Sequence, residues 1–252
     1  MTHKINKQAV AQAFGRAAGG YDRFADFQRY SGERLMALLP PAAAGRVLDA
    51  GCGTGWFSRR WRAQGHQVIA LDLSPGMLAQ ARRDASAHHY LLGDIEALPL
   101  QSHSVDLSWS NLALQWCDDL AQGLRELCRV TRPGGQVLFS TLAEASLQEV
   151  RSAWQAVDDY QHVNRFLSES AIRQAGAGMA LRLHCETVVQ HFPDVLSALH
   201  SLKGIGATHI HQGRASGLLT RQRLHQLAQH WPQDEHGYLL SYQLITGVID
   251  CE

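Results

Sequence analysis

Apolar residues fall in short runs along the first half of the chain, and polar or glycine-rich stretches separate these runs. Five runs are typical of buried strands, at 46–50, 67–72, 89–92, 105–110 and 136–142. Between them apolar positions recur at helical spacing over 56–64 and 118–131, and Ser74-Pro75 opens a further helix. Alternation of strand and helix predicts an α/β fold with a doubly wound, mostly parallel sheet.

The two ends of the chain depart from this alternation. Residues 5–39 show helical spacing that two glycines interrupt just before Tyr21, so this segment could fold over a site as a lid. After helical stretches at 146–160 and 168–175, strands are predicted at 180–192 and 238–249, with helices at 194–203 and 220–230 between them. We therefore divide the chain into an N-terminal helical lid at 1–44, a core at 45–192, a helical insertion at 193–236 and a final core strand at 237–252.

The first strand runs directly into a glycine-rich loop, Asp49-x-Gly51-x-Gly53-x-Gly55. Glycines at this place let the backbone turn tightly and approach a ligand closely. A dinucleotide fingerprint would need its third glycine where Trp56 stands. The preceding carboxylate would repel a pyrophosphate but attract a cation. The loop therefore favours a cationic nucleoside ligand, although a turn needed only for folding remains possible from the spacing alone.

Asp72 ends the second predicted strand. An acid at this position can accept hydrogen bonds from both ribose hydroxyls of a nucleoside. The alternative is an ordinary loop acid that caps the next helix.

The D-x-G-x-G-x-G loop resembles motif I of the class I S-adenosylmethionine (SAM) methyltransferases. This resemblance implies a Rossmann-like, seven-stranded sheet and SAM as the cofactor, with Asp94 accepting from the adenine amino group and Ile95 packing on the ring. The candidate cofactor-binding residues are Asp49, Gly51, Gly53, Gly55, Asp72, Met77, Asp94, Ile95 and Asn111.

Three further stretches, 14–28, 109–118 and 201–224, are more specific. With them the chain resembles, over nearly its whole length, the malonyl-acyl-carrier-protein O-methyltransferases of biotin synthesis (BioC-type). The resemblance implies SAM-dependent methylation of the free carboxyl of malonyl on its carrier, in the cytoplasm. A carboxylate is already ionised at neutral pH, so no general base is expected.

The substrate carboxylate still needs a donor or cation to hold it, and an acidic carrier protein needs a basic docking face. Candidate substrate-positioning residues are Tyr21, Lys203 and His209, and candidate carrier-binding residues are Lys203, Arg214, Arg221 and Arg223. For each of them a solvated surface position is the alternative.

Charge and composition exclude several other classes. The 23 Lys and Arg balance 23 Asp and Glu, which argues against nucleic acid or a membrane surface as partner. Five cysteines without a C-x-x-C pair argue for a reducing compartment, and His209-Ile210-His211 alone is too weak to predict a metal. The sequence 110–113 lacks the prolines and aromatic ring that clamp a flipped base.

Two other functions stay open from the sequence. A SAM-dependent methyltransferase of a quinone or other small molecule would share every cofactor motif. A SAM-binding regulatory protein without activity would share them too.

Overall fold

A computed structural model of the protein describes residues 5–39, 44–205 and 219–252. Within these ranges one twisted sheet is flanked by helices on both faces, as the alternating pattern predicts. The strands are β1 Arg46–Ala50, β2 Gln67–Asp72, β3 His89–Leu92, β4 Val105–Asn111, β5 Thr131–Leu142, β6 Ala180–Phe192, β7 Gln233–Asp234 and β8 Gly237–Asp250. The helices are α1 Lys7–Ala17, α2 Asp26–Met36, α3 Trp56–Ala63, α4 Pro75–Arg83, α5 Leu120–Val130, α6 Gln148–Gln155, α7 Glu169–Ala175, α8 Val195–Gly204 and α9 Arg221–His230.

Seven strands lie side by side in the order β3-β2-β1-β4-β5-β8-β6, and the two-residue strand β7 pairs with the start of β8. Only β8 runs antiparallel to its neighbours β5 and β6. The strand order reverses between β1 and β4, which are direct neighbours. In a doubly wound sheet, ligands bind in the crevice at the carboxyl ends of the strands at such a reversal.

Local sequence explains why the elements around this crevice begin and end where they do. In β1 every residue after Arg46 is buried, as expected for a central parallel strand covered on both faces. Ser74 caps α4, because its hydroxyl accepts from the Met77 amide, and Pro75 occupies the first turn. α3 starts directly after Gly55, which adopts the left-handed conformation.

Two bounds differ from the prediction by five residues, and the others by at most two. β5 starts at Thr131 rather than at residue 136, because 131 already pairs with Val105 before a bulge containing Gly134 shifts the register. The predicted helix at 146–160 is shorter and ends at Gln155, after which 156–168 is irregular. Short-range periodicity does not reveal either a bulge or an early helix end.

The two N-terminal helices, α1 and α2, pack against different elements. α2 packs against the sheet, where Phe27 stacks on Tyr242 of β8 with the ring centroids 3.8 Å apart. α1 instead packs against α4, and Gly15 lies so close to Gly76 that a Cβ on Gly76 would stand 2.7 Å from its Cα. Among the described residues, no helix is long and apolar enough to span a membrane.

Candidate active site

The loop after β1 forms the floor of a cavity at the carboxyl ends of the strands. Gly51 has φ +79° and a Cβ there would lie 2.3 Å from the Cβ of Ala113, so only glycine fits. Gly53 has φ +56°, and a Cβ there would find no atom within 4 Å. The first glycine thus allows tight packing beneath the loop, whereas the second leaves open space for a ligand.

Asp72, at the end of β2, has its carboxylate held in place by the backbone. One oxygen accepts from the Gly53 amide at 2.9 Å and the other from the Ser74 amide at 2.7 Å. Burial raises the pKa of the Asp72 carboxyl to about 6, although these hydrogen bonds act to lower it. Each oxygen keeps a second lone pair for a further donor. The site therefore presents an oriented acceptor toward the cavity.

Asp49 lies below the loop rather than in the cavity. Its side chain is buried and accepts a hydrogen bond from the Ser58 hydroxyl at 2.5 Å. Burial raises the pKa of Asp49 to about 7, the Ser58 hydrogen bond opposes the rise and the nearby Asp72 charge adds to it. No described cation pairs with this carboxylate, so its negative charge is available to stabilise a cation bound above the loop.

We name the space above this loop the strand-end cavity. Eight of the candidate residues line it, whereas Asp49 and Gly55 do not. At Gly55 a Cβ would lie 2.2 Å from the Ser86 hydroxyl, so this glycine serves packing beneath the loop. The candidates that line the strand-end cavity are Tyr21, Gly51, Gly53, Asp72, Met77, Asp94, Ile95 and Asn111.

Two of these candidates already have protein partners. Asp94 accepts a charged hydrogen bond from Lys7 of α1, which also bridges to Glu96. Asn111 donates its side-chain amide to the Gln28 carbonyl at 2.9 Å. Its amide oxygen accepts from the hydroxyls of Ser31 in α2 and Ser140 in β5. Both side chains therefore hold the N-terminal helices over the cavity, and a ligand would have to share them.

The N-terminal segment lines one side of the strand-end cavity, through residues of α1 and of the 3₁₀ turn Tyr21–Arg23. Phe14 meets Trp116 edge to face with the centroids 5.3 Å apart. Asp22 accepts from the Thr54 hydroxyl at 2.7 Å and so ties the turn to the glycine loop. Burial, with the charges of Asp72 and Asp22, raises the pKa of Tyr21 well above its ordinary value. The Tyr21 phenol therefore stays protonated and can act as a donor but not as a base.

A second space, the adjoining cavity, shares part of its lining with the first. Phe14, Tyr21, Leu112 and Trp116 line both cavities, so they form the boundary between them. The rest of its wall is mostly apolar and comes from α2, β8, the segment after α6 and the end of α8. Because the two cavities share these four side chains, a ligand in one cavity would lie next to a ligand in the other.

The candidate substrate and carrier residues have different surroundings. Lys203 is exposed at the end of α8 and lines neither cavity, although its neighbours Leu202 and Ile205 line the adjoining one. Arg221 is exposed at the start of α9. Arg223 is half-buried and ion-paired with Asp158 at 2.9 Å, so it is not a free surface cation. The remaining two, His209 and Arg214, lie outside the described residues.

The sequence did not single out several residues that line the cavities or hold the lid. Phe14, Gln28 and Trp116 lie within the stretches 14–28 and 109–118, which carried the specific resemblance. That resemblance was the sequence signal that could have found them. Lys7 and His162 had no signal, because the partner of Lys7 is 87 positions away and because His162, although its partner Asp158 is only four positions away, meets the other residues of the cavity wall only in the folded chain.

A larger cavity of about 740 Å³ lies at the opposite edge of the sheet. It is lined by Val47, Asp106 and Gln136, which stand near the amino ends of β1, β4 and β5. The two acids in its lining, Asp106 and Asp250, are already ion-paired with Arg132 and Arg182. The described residues also contain no group of three or more potential metal ligands.

Comparison with known proteins agrees with the geometry. Residues 48–139 match a family model described as a methyltransferase domain. The chain is 59% identical to a malonyl-[acyl-carrier protein] O-methyltransferase from Erwinia pyrifoliae over 252 residues, which is 100% of this chain and 96% of that protein. It is 57% identical to the protein of the same name from Pectobacterium atrosepticum, over 99% of this chain and 98% of that protein.

Solved structures show the same fold at low sequence identity. A Bacillus halodurans protein superposes with a TM-score of 0.61 at 20% identity, covering 86% of this chain and 96% of that one. The geranyl diphosphate C-methyltransferase of Streptomyces coelicolor, solved with S-adenosyl-L-homocysteine, superposes with a TM-score of 0.53 at 16% identity over 88% of this chain and 79% of its own. These likenesses confirm the predicted Rossmann-like class.

Proposed function

The chain belongs to the family of malonyl-[acyl-carrier protein] O-methyltransferases, and on that premise we propose that it methylates the free carboxyl of malonyl carried as a thioester by an acyl carrier protein. SAM is the methyl donor, and the methyl ester enters biotin synthesis. The observation that carries this proposal is that the similarity to named relatives extends over the whole chain. A methyltransferase with another substrate would be expected to share mainly the domain at 48–139.

The residues of the strand-end cavity fit SAM. Gly53 leaves open space above the loop, Asp72 offers oriented carboxylate oxygens to ribose hydroxyls, and Asp49 supplies a buried negative charge below. We propose that Met77 and Ile95 pack on the adenine and that Asp94 shares its carboxylate between Lys7 and the adenine amino group. The unpaired charge of two buried acids is the feature that a cationic ligand would relieve.

When bound, SAM supplies a methyl carbon on a sulfonium, so that an oxygen–carbon bond to the substrate forms as the carbon–sulfur bond breaks and its electron pair stays on sulfur. The malonyl carboxylate is ionised at neutral pH, so the protein need not remove a proton. Its task is to align the attacking oxygen and to keep water out. Phe14, Trp116 and Leu112 supply an apolar boundary, and the protonated Tyr21 hydroxyl supplies one donor there.

Exclusion of water favours this reaction for a further reason. An anion and a cation become two neutral products, so charge disappears along the path. Water stabilises the charged reactants more than the less charged transition state, and a dry boundary removes that advantage.

We propose that an acidic carrier docks near α8 and α9, which pack against each other. Lys203 and Arg221 are exposed there, and Leu202 next to Lys203 lines the adjoining cavity, so a thioester arm could enter beside the docking face. Arg223, being paired with Asp158, would contribute less. His209 and Arg214 remain candidates on the connection between these helices. The free thiols of the cysteines support a reducing compartment, and we assign the reaction to the cytoplasm.

The test is a product assay with SAM and malonyl-carrier protein, in which mass spectrometry detects a gain of one methyl group on the carrier. We expect the ester on malonyl-carrier and none on acetyl-carrier, because acetyl has no free carboxyl. Methylation of a quinone or other small molecule instead would refute the substrate assignment. Binding of SAM without S-adenosyl-L-homocysteine formation on any acyl substrate would identify a non-catalytic SAM-binding protein.

Docking is tested with Arg221→Ala, with Arg173→Ala as the matched control because Arg173 is an exposed arginine on α7. The first change should raise KM for malonyl-carrier and flatten its dependence on salt, since screening acts on exposed charge pairs. The control should change neither. Equal behaviour of the two variants would contradict docking at α9.

A further inference from the structure

The adjoining cavity is where the acyl end of the substrate must lie if the proposed function holds. Phe14, Tyr21, Leu112 and Trp116 bound it on the side of the strand-end cavity, and Leu202 of α8 bounds it elsewhere. An acyl group that enters beside α8 would thus reach these four shared side chains, next to a ligand bound in the strand-end cavity. The polar groups in its wall should then bind the acyl chain.

Few polar side chains interrupt this apolar wall. Besides Tyr21 and Tyr242 they are Gln28, Gln115, His162 and Asn164. The amide of Gln115 is already used, because it donates to the Leu112 carbonyl at 2.7 Å. His162 is the one side chain of the described lining that can carry a positive charge.

His162 is held rigidly by a chain of contacts behind it. Its Nε2 lies 2.7 Å from the Asp158 carboxylate, which also accepts from Arg223 of α9 at 2.9 Å. Its ring stacks on the Trp154 indole with the centroids 3.6 Å apart and the planes 7° from parallel. The Asp158 side chain is 9% exposed and that of His162 is 15% exposed. One ring nitrogen is therefore committed, and the ring plane is set by packing.

The other ring nitrogen, Nδ1, has no hydrogen-bond partner among the described residues. Because the Nε2 proton goes to Asp158, a neutral ring has an acceptor at Nδ1 and a protonated ring has a donor there. The charges of Asp158 and Arg223 oppose each other, so the pair adds no net charge against an incoming anion. A carboxylate in the cavity would favour the protonated ring.

We propose that His162, positioned by Asp158 and Arg223, takes up a proton when the substrate binds and donates from Nδ1 to one oxygen of the malonyl carboxylate. This inference rests on the proposed function and assigns the residue that recognises the free acid. The other oxygen of the carboxylate remains free to attack the methyl group. Methylation converts the anion into a neutral ester, so the imidazolium loses its partner and releases the proton with the product.

The pH dependence follows from the groups that face this ring. Tyr21 of the 3₁₀ turn and Tyr242 of β8 line the same cavity, and burial raises the pKa of both phenols, so they stay neutral. Asp158 and Arg223 stand behind the ring. Glu149 of α6 is buried and accepts from the Ser241 amide. Within this set, the His162 imidazole is therefore the group whose protonation an incoming carboxylate would change.

The experiment compares binding of malonyl-carrier and acetyl-carrier to the full-length protein saturated with S-adenosyl-L-homocysteine, so that no reaction occurs. Calorimetry in buffers of different ionisation enthalpy reports proton uptake. Between pH 6 and 9 the wild type should take up a fraction of a proton with malonyl-carrier, with a maximum inside this range, and none with acetyl-carrier. Its preference for malonyl should be about tenfold or more at pH 6.5 and should decline at higher pH, because a charged hydrogen bond is then lost.

His162→Gln keeps a polar side chain but cannot titrate, so proton uptake should vanish and the remaining preference should not vary with pH. His184→Gln, on the exposed face of β6, is the matched control and should behave as wild type. If His162→Gln fails to fold, the wild-type proton uptake still decides the question. Absence of uptake between pH 6 and 9, or equal loss of affinity for both carriers in His162→Gln, would overturn the proposal. Failure of the proposed function is distinct, because wild type would then show no preference for malonyl-carrier and no methyl ester.

Discussion

The replacement Asp49→Asn should stabilise the ligand-free protein while it weakens SAM binding. Asp49 is 2% exposed and is held by Ser58, and burial raises its pKa from an ordinary value of 3.8 to about 7. The folded protein therefore binds this proton more tightly than the unfolded chain does. Its contribution to stability is complete below about pH 4 and is lost as pH rises through about 7. Asparagine has no charge to bury and keeps an acceptor for the Ser58 hydroxyl.

The magnitude follows from the two pKa values. The shift of about 3 units corresponds to about 4 kcal/mol at pH 8 and to about 2 kcal/mol at pH 5, at 1.36 kcal/mol per unit. Urea denaturation of the ligand-free protein at pH 5 and pH 8 measures this difference in the free energy of unfolding. The exposed Asp159→Asn is the matched control and should change little at either pH.

Ligand binding should change in the opposite direction. SAM carries a sulfonium charge that S-adenosyl-L-homocysteine lacks. Asp49→Asn should therefore lower the affinity for SAM more than the affinity for S-adenosyl-L-homocysteine, and calorimetry measures both. An unfolding free energy that is unchanged or lower at pH 8 would refute the assignment of a buried, uncompensated charge to Asp49. An equal loss of affinity for both ligands would refute its role as a counter-charge.

Three further changes test the loop, the lid and the boundary. Gly51→Ala should unfold or abolish SAM binding, because its Cβ would collide with Ala113, whereas Gly53→Ala meets open space and should cost only about 1 kcal/mol of stability from its positive φ. Lys7→Gln removes the cation that joins α1 to the acids after β3, so α1 amides should exchange faster and SAM should dissociate several-fold faster. Tyr21→Phe should lower kcat with little change in SAM affinity, since the hydroxyl donates at the boundary; unchanged kcat would show that this donor is not used.

Much of the fold could be predicted because its signals are local. The bounds of β1 and β2 matched the predicted runs, since burial of a central strand on both faces leaves a continuous apolar segment. The positions of the glycine loop and of Asp72 followed from turn chemistry at strand ends. The bulge in β5 was missed, because extra residues in one strand are defined by its partner and not by its own sequence.

The candidate site was only partly predictable, for a related reason. Sequence placed an acid before the glycine loop, but only packing decided that Asp49 points beneath the loop toward Ser58 and not into the cavity. Arg223 has the composition of a surface cation, yet the fold brings it to Asp158, 65 positions away. Charge type can be read along the chain, whereas the partner that neutralises it cannot.

The amino-acid sequence by itself determined the order of strands and helices, the glycine loop and the acids at the strand ends, because periodicity and backbone conformation act over a few residues. The tertiary structure alone decided that Lys7 of α1 pairs with Asp94 and that His162 joins the wall of the adjoining cavity. Those contacts join residues far apart in the chain, and they exist only once packing has set the direction of each side chain.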